Sequence, residues 1–148
     1  MNYLKDYEEF LKLLNGNKVR YLIVGAYALS YYTRPRATED MDIWISRDSS
    51  NAERFYKSIR EFGVKTDKIT PGKFEGKNIL FSLGRAPYAI EVFTKQGNID
   101  FNAAWRERKH GRFGKTPVSY ISRNHLISIK RYYHRDKDIM DIGKLRKE

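Results

Sequence analysis

Apolar residues recur at Leu4, Tyr7, Phe10, Leu11 and Leu14, and Gly16 follows, so residues 3–15 predict an amphipathic helix with its stripe facing a core. The next apolar run has a different period. Val19-Arg20-Tyr21-Leu22-Ile23-Val24 is β-branched and apolar apart from Arg20, which predicts a strand; it runs into Gly25-Ala26, after which Tyr27 to Tyr32 predict a short helix. Met41 to Ser46 predicts a second strand. Ser49 or Ser50 is expected to cap a helix reaching Arg60 to Phe62, with Phe55, Ile59 and Phe62 on one face and Gly63 as its terminator. Asn78 to Leu83 and Tyr88 to Phe93 flank Gly84-Arg85-Ala86-Pro87 and predict a hairpin. Val118 to Ile121 reads as a short strand. Ser122 is placed to cap a helix carrying Leu126, Ile129 and Lys130, and a last helix from about Asp136 would turn Ile139, Ile142 and Leu145 to one side. No linker or internal repeat divides these elements. The expectation is one compact α/β (α+β) domain, a mixed sheet flanked by helices, with a core over about 19–121 and C-terminal helices over about 122–147.

Composition narrows what such a domain can do. The 148 residues include no Cys, which excludes a disulfide framework, a thiolate metal site and a cysteine nucleophile, and fits a reducing, cytoplasmic setting. The longest apolar or small stretch, Tyr21 to Leu29, is about half of the roughly 20 residues a membrane span needs, and the start MNYLKDYEEF lacks the pattern of an export signal. A soluble protein with no membrane partner is expected. Charge adds a partner: 29 Lys+Arg against 18 Asp+Glu leave +11 on a chain too apolar to be a disordered basic tail, and phosphate is its natural counterpart. The excess is uneven. Residues 104–148 hold 13 basic and 5 acidic side chains, and within them Arg106, Arg108, Lys109, His110, Arg112 and Lys115 interleave with Trp105 and Phe113 around two glycines. That segment reads as a basic loop, either a solvated surface or a contact for a phosphate backbone or nucleotide.

Candidate chemistry lies outside the basic third. In Glu39-Asp40-Met41-Asp42-Ile43, strand alternation turns Asp40 and Asp42 to one face, about 7 Å apart along the strand. Two carboxylates so placed repel unless a cation or a shared proton intervenes, and a hard divalent ion together with substrate phosphates would satisfy them. Upstream, Val24-Gly25-Ala26 puts small residues where a strand gives way to a helix, leaving backbone N–H groups open to an anion. Downstream, Glu91 lies between Ile90 and Val92. It is either a solvent-facing hairpin glutamate or a third carboxylate that completes a two-metal site and accepts a proton.

In order and spacing, Val24-Gly25-Ala26, thirteen intervening residues, Asp40-Met41-Asp42 and a later Ile90-Glu91-Val92 resemble the signature of the DNA polymerase β-like nucleotidyltransferase superfamily. The text from Arg34-Pro35-Arg36-Ala37-Thr38 into Asp40-Met41-Asp42-Ile43 is similar to small members related to AbiEii-type toxins. So is Leu126-Ile127-Ser128-Ile129-Lys130 followed by Arg135-Asp136-Lys137-Asp138. This resemblance implies a nucleotidyltransferase-like fold and a transfer of a nucleoside monophosphate from a nucleoside triphosphate, such as ATP, to a hydroxyl acceptor. It implies magnesium or manganese held by Asp40, Asp42 and Glu91, with Glu91 also helping to deprotonate the acceptor. Gly25 and Ala26 would line the triphosphate, Lys130 would carry charge to it, and Lys137-Asp138 would be the accompanying Lys–Asp pair. Ala26 departs from the Gly or Ser usual there, and Glu91 from the more frequent Asp. Arg34 and Arg36, with Thr38, would either reach the triphosphate or acceptor or neutralise the acids. Lys130 read from the residues alone could equally be a solvated helix lysine, and Asp138 a helix cap. For the acceptor, the basic last third favours RNA or protein, in a toxin–antitoxin setting with an antitoxin as partner. The alternatives are a small antibiotic-like hydroxyl compound and a non-catalytic nucleotide- or nucleic-acid-binding module.

Overall fold

A computed structural model describes residues 3–34, 40–84 and 87–147. Arg36 and Thr38 lie outside the described residues, as does the centre of the predicted hairpin turn, Arg85-Ala86.

Among the described residues the elements follow in the order α1 (Tyr3–Gly16), β1 (Tyr21–Val24), α2 (Gly25–Tyr32), β2 (Met41–Ile45), α3 (Ser49–Phe62), a 3-10 turn (Pro71–Phe74), β3 (Leu80–Leu83), β4 (Ile90–Phe93), α4 (Phe101–Arg106), β5 (Lys109–Phe113), β6 (Thr116–Tyr120), α5 (Arg123–Tyr133) and α6 (Asp136–Lys147). The strands form one mixed sheet in the order β3-β4-β2-β1-β6-β5. β2 is antiparallel to β1 and parallel to β4, β1 is parallel to β6, and the two outer pairs, β3–β4 and β5–β6, are antiparallel hairpins. The central strands β1 and β2 are buried almost throughout, as a run of large apolar residues interrupted only by Asp42 requires. No helix among the described residues is long and apolar enough to cross a membrane.

α1 and α3 meet through aromatic side chains, Phe10 lying 6.2 Å from Phe55 and 5.0 Å from Phe62 between ring centroids. The 3-10 turn, for which the pattern carried no signal, inserts Phe74 between Phe55 and Phe81 at 4.8 and 5.3 Å. The cap of α3 is Asp48 rather than Ser49 or Ser50. Its carboxylate accepts from Asn51 N–H (2.9 Å) and is steadied by Ser46 Oγ–H (2.6 Å), and a charged acceptor suits a helix N-terminus better than a hydroxyl. Gly63 ends this helix as expected, at φ 124°. Ser122 caps α5, accepting from His125 N–H.

Two expectations change. The basic segment is not a loop: Arg106 ends α4, and Lys109 to Phe113 form an edge strand pairing with β6. Its sequence hides the strand because Lys109, His110 and Arg112 are all exposed, so no alternation of apolar and polar positions remains to be read. Gly111 sits in mid-strand because the Tyr31 and Tyr120 rings, stacked at 4.2 Å, lie over it; a Cβ there would come within 2.8 Å of Tyr31. In α6, Ile139 points outward, 48% exposed, and the inward positions are Asp138, Asp141 and Leu145. Two acids occupy a core-facing stripe because α5 offers them a buried cation.

Candidate active site

Strand register assembles the acids. Asp42 pairs with Val24 of β1 on one side and with Glu91 of β4 on the other, so Asp42 and Glu91 are lateral neighbours across two central strands, about 4.8 Å apart in backbone spacing. Asp40 lies two residues earlier and shares the face of Asp42. Burial pushes the Asp42 carboxyl up to about 7; the negative charges of Asp40 and Glu91 add to this, and Lys137 and Lys130 oppose it. The three carboxyls therefore form one electrostatic group, as the spacing of the motifs predicts. As they stand, Glu91 accepts from Ser82 Oγ–H (2.5 Å) and Asp40 from Ala89 N–H (3.1 Å). Among the described residues, no three His, Cys, Asp or Glu side chains are gathered closely enough to hold one ion. The donors of Asp40, Asp42 and Glu91 are all carboxylate oxygens, the ligand chemistry that a hard divalent cation takes.

Gly25 stands directly against Asp42. The turn from β1 into α2 gives Gly25 φ 68°, and an added Cβ would lie 2.1 Å from Asp42 Oδ2. Val24 gives the start of α2 no side-chain cap, and the helix begins at Gly25 and Ala26, with Gly25 packed on Asp42. We expect Gly25→Ala to combine backbone strain of about 1–2 kcal/mol with displacement of Asp42, lowering the melting temperature and cutting any transfer rate about a hundredfold. A variant with wild-type melting and wild-type rate would contradict the packing described.

A cavity of about 580 Å³ opens from Asp42, Gly25 and Ala26 toward α5 and α6. Lys130, Lys137 and Asp138 all line it. Lys130 is not a solvated lysine: it is 8% exposed, with Nζ 3.0 Å from Asp141 Oδ2 and 3.7 Å from Asp138 Oδ1. Asp138 lies in the first turn of α6, 3.7 Å from Lys130 Nζ. It accepts from the Arg135 backbone N–H (3.0 Å), bonding back over the start of α6, and its oxygens also take the Arg135 guanidinium (2.7 and 3.2 Å). Burial alone would raise its carboxyl, but these bonds and the charges of Arg135 and Lys130 hold it below the usual range. Arg34, exposed just beyond α2, is not among the cavity's lining residues.

Sequence reasoning passed over Asp141, Arg135, Lys144, Gln96 and Tyr133, which also line the cavity. For Asp141 the pattern carried no signal, since periodicity put Ile139, Ile142 and Leu145 inward and only the buried Lys130 turns Asp138 and Asp141 to the core. On the other side of the acids, burial raises the Tyr27 hydroxyl to about 12, with Tyr3 and Asp40 adding, and Tyr7 is raised by burial, Tyr27, Asp40 and Asp42. An aromatic series, Tyr3, Tyr7, Tyr27 and Phe113, thus runs past Asp40.

No family model and no curated protein matches the chain. Among solved structures it is similar to the lincosamide antibiotic adenylyltransferase LnuA in its lincomycin-bound form, with a TM-score of 0.61 over 96% of this chain and 95% of that one. The fold is nucleotidyltransferase-like. At 18% identity the likeness concerns the fold, and it agrees with the mixed sheet and flanking helices expected from the DNA polymerase β-like motifs. Within this nucleotidyltransferase-like fold the acids lie at the neighbouring ends of β2 and β4, with the glycine turn packed on them.

Proposed function

We propose that the chain is a metal-dependent nucleotidyltransferase, moving a nucleoside monophosphate from a nucleoside triphosphate to a hydroxyl acceptor. The observation that carries this reading is Asp42, held between Asp40, Glu91 and Gly25 at the mouth of a cavity whose far wall is cationic. Asp40 and Asp42, with Glu91, would hold magnesium or manganese. When bound, the ion supplies positive charge against the reacting phosphate and the leaving pyrophosphate. The chain's own residues do the rest. Gly25 and Ala26 N–H groups bind phosphate oxygens, and Lys137 and Lys144 add mobile positive charge from α6. Lys130 contributes from a fixed position. Glu91 Oε takes the proton of the attacking hydroxyl.

RNA or protein is the acceptor favoured by the β5–β6 hairpin, whose exposed Lys109, His110, Arg112 and Lys115 make a basic surface. A specific observation supports a second reading, a small hydroxylated molecule: the fold is similar, over 96% of this chain, to that of LnuA, an enzyme whose name gives a lincosamide antibiotic as its acceptor. A role as a cytoplasmic toxin–antitoxin component with an antitoxin partner rests on the AbiEii-type sequence likeness alone.

The test is incubation with magnesium and each α-labelled nucleoside triphosphate in the presence of RNA, total protein or hydroxylated small molecules. Label is expected on one acceptor class, lost with EDTA and restored by magnesium or manganese. Nucleotide binding without label on any acceptor would support the non-catalytic module instead.

A further inference from the structure

A hydroxyl that Glu91 deprotonates has to lie beside Glu91, so the side chains around that residue decide what can carry it. β3 supplies them. In the antiparallel β3–β4 pair Ser82 stands opposite Glu91 and Leu80 opposite Phe93, so these four positions share one face of the sheet. It is the face of Asp42, which pairs with Glu91 from β2. Among the four, Glu91 carries the only charge. Leu80 is 59% exposed. Phe93, half-buried, continues this floor into the cavity, which Tyr133 of α5 and Met140 of α6, 43% and 66% exposed, also line.

Both edges of the sheet are described, and they differ. β5 carries Lys109, His110 and Arg112, the kind of charged residue that keeps an edge strand from pairing or being covered. β3, Leu-Phe-Ser-Leu, carries none, and large apolar side chains left open beside a cavity mark a surface that binds something. The basic hairpin is remote from this floor: β4 and β5 are four strand spacings apart, about 19 Å. Nor do the four floor positions offer a phosphate backbone any cation. Lys130, Lys137 and Lys144 line the cavity instead, where the triphosphate would lie.

We propose that the β3–β4 floor is the acceptor subsite and that it takes a small hydroxylated molecule with an apolar face, seated on Leu80 and Phe93 with its hydroxyl at Glu91. This rests on the transferase reading above, in its small-acceptor form, and assigns the residues that select the acceptor. In the step itself the acceptor oxygen bonds to the α-phosphorus as the bond from that phosphorus to pyrophosphate breaks, and the hydroxyl proton passes to Glu91. Leu80 and Phe93 take no part in that exchange. They hold the acceptor by removing its apolar face, and their own, from water. The two substrates are thus sorted by polarity: the polyanion to the cationic wall, the acceptor to the uncharged edge.

The test follows label from an α-labelled nucleoside triphosphate, with magnesium, onto octyl glucoside, phenyl glucoside, glucose and a single-stranded oligoribonucleotide, using the full-length protein. Calorimetric titration of the two glucosides, kept below micelle formation, measures binding without turnover. The glucosides add an apolar group to the hydroxyls of glucose, so kcat/KM is expected to favour them by about tenfold or more. Leu80→Gln raises the KM for octyl glucoside about fivefold or more and leaves the KM for the triphosphate within about twofold. Leu80→Thr carries the same test if glutamine disturbs the strand. Glucose or RNA labelled as readily as the glucosides, no calorimetric binding of either glucoside, or an unchanged acceptor KM in the variants would overturn the assignment. So would a dimer that Leu80→Gln dissociates in analytical ultracentrifugation, since a second copy would then cover the edge. Label on RNA alone removes this subsite and leaves the transferase reading standing. Leu80-dependent binding of a glucoside with no label on any acceptor does the reverse, and absence of both removes both.

Discussion

Asp42→Asn is expected to abolish nucleotidyl transfer while making the metal-free protein more stable above neutral pH. The two effects have one origin. Burial, Asp40 and Glu91 raise the Asp42 carboxyl from 3.8 to about 7, so between those values the folded state holds a proton that the unfolded chain has released. The stability this group contributes is fully present below about pH 4 and is lost as pH rises through about 7. Above that the fold carries an uncompensated buried charge, a liability on the order of a few kcal/mol. Asparagine keeps the shape and removes the charge. In EDTA at pH 8 the variant should melt several degrees above wild type, and the difference should vanish toward pH 4. Activity moves the other way. Loss of groups that merely support a metal ligand costs about 10–100-fold, so loss of the central carboxylate should lower the transfer rate at least about 100-fold. An asparagine variant that transfers normally, or that melts below wild type at pH 8, would remove Asp42 from the centre of the site.

Lys130→Met should be the most destabilising single change at the helix pair that closes the cavity. Lys130 Nζ stands 3.0 Å from Asp141 Oδ2 and 3.7 Å from Asp138 Oδ1, with all three residues less than a tenth exposed. Removing the cation strands Asp141; Asp138 keeps Arg135. Breaking a buried pair from one side costs about 3–5 kcal/mol, which for a chain of this length lowers the melting temperature by roughly 10 °C. Pairing the change with Asp141→Leu removes both charges and should recover most of the loss, which a double-mutant cycle in thermal unfolding would measure. Additive losses would mean that Lys130 and Asp141 are not coupled.

These two sites differ in how far the sequence announces them. Asp40, Asp42 and the Gly25 turn were legible because strand alternation and a small residue at a strand-to-helix turn have direct geometric meaning. Glu91 was ambiguous between a hairpin surface and a third carboxylate. The β2–β4 pairing, which no local pattern reveals, sets Glu91 opposite Asp42, forty-nine residues earlier in the chain. Lys130 looked like either a solvated lysine or a phosphate ligand, since nothing within α5 reveals what covers it. Ile139 was assigned inward by apolar type, yet the buried cation drew Asp138 and Asp141 to that face instead.

By itself, the sequence determined the order and type of most elements, the single domain with a mixed sheet, and two carboxylates on one face of a strand beside a glycine turn. These follow from local periodicity, backbone sterics and capping, which act over a few residues. Tertiary structure alone decided the β5 strand within the basic segment, the register that sets Glu91 opposite Asp42, and the burial of Lys130 between Asp138 and Asp141. Each depends on segments far apart in the chain, and on charges whose partners are chosen by burial rather than by spacing.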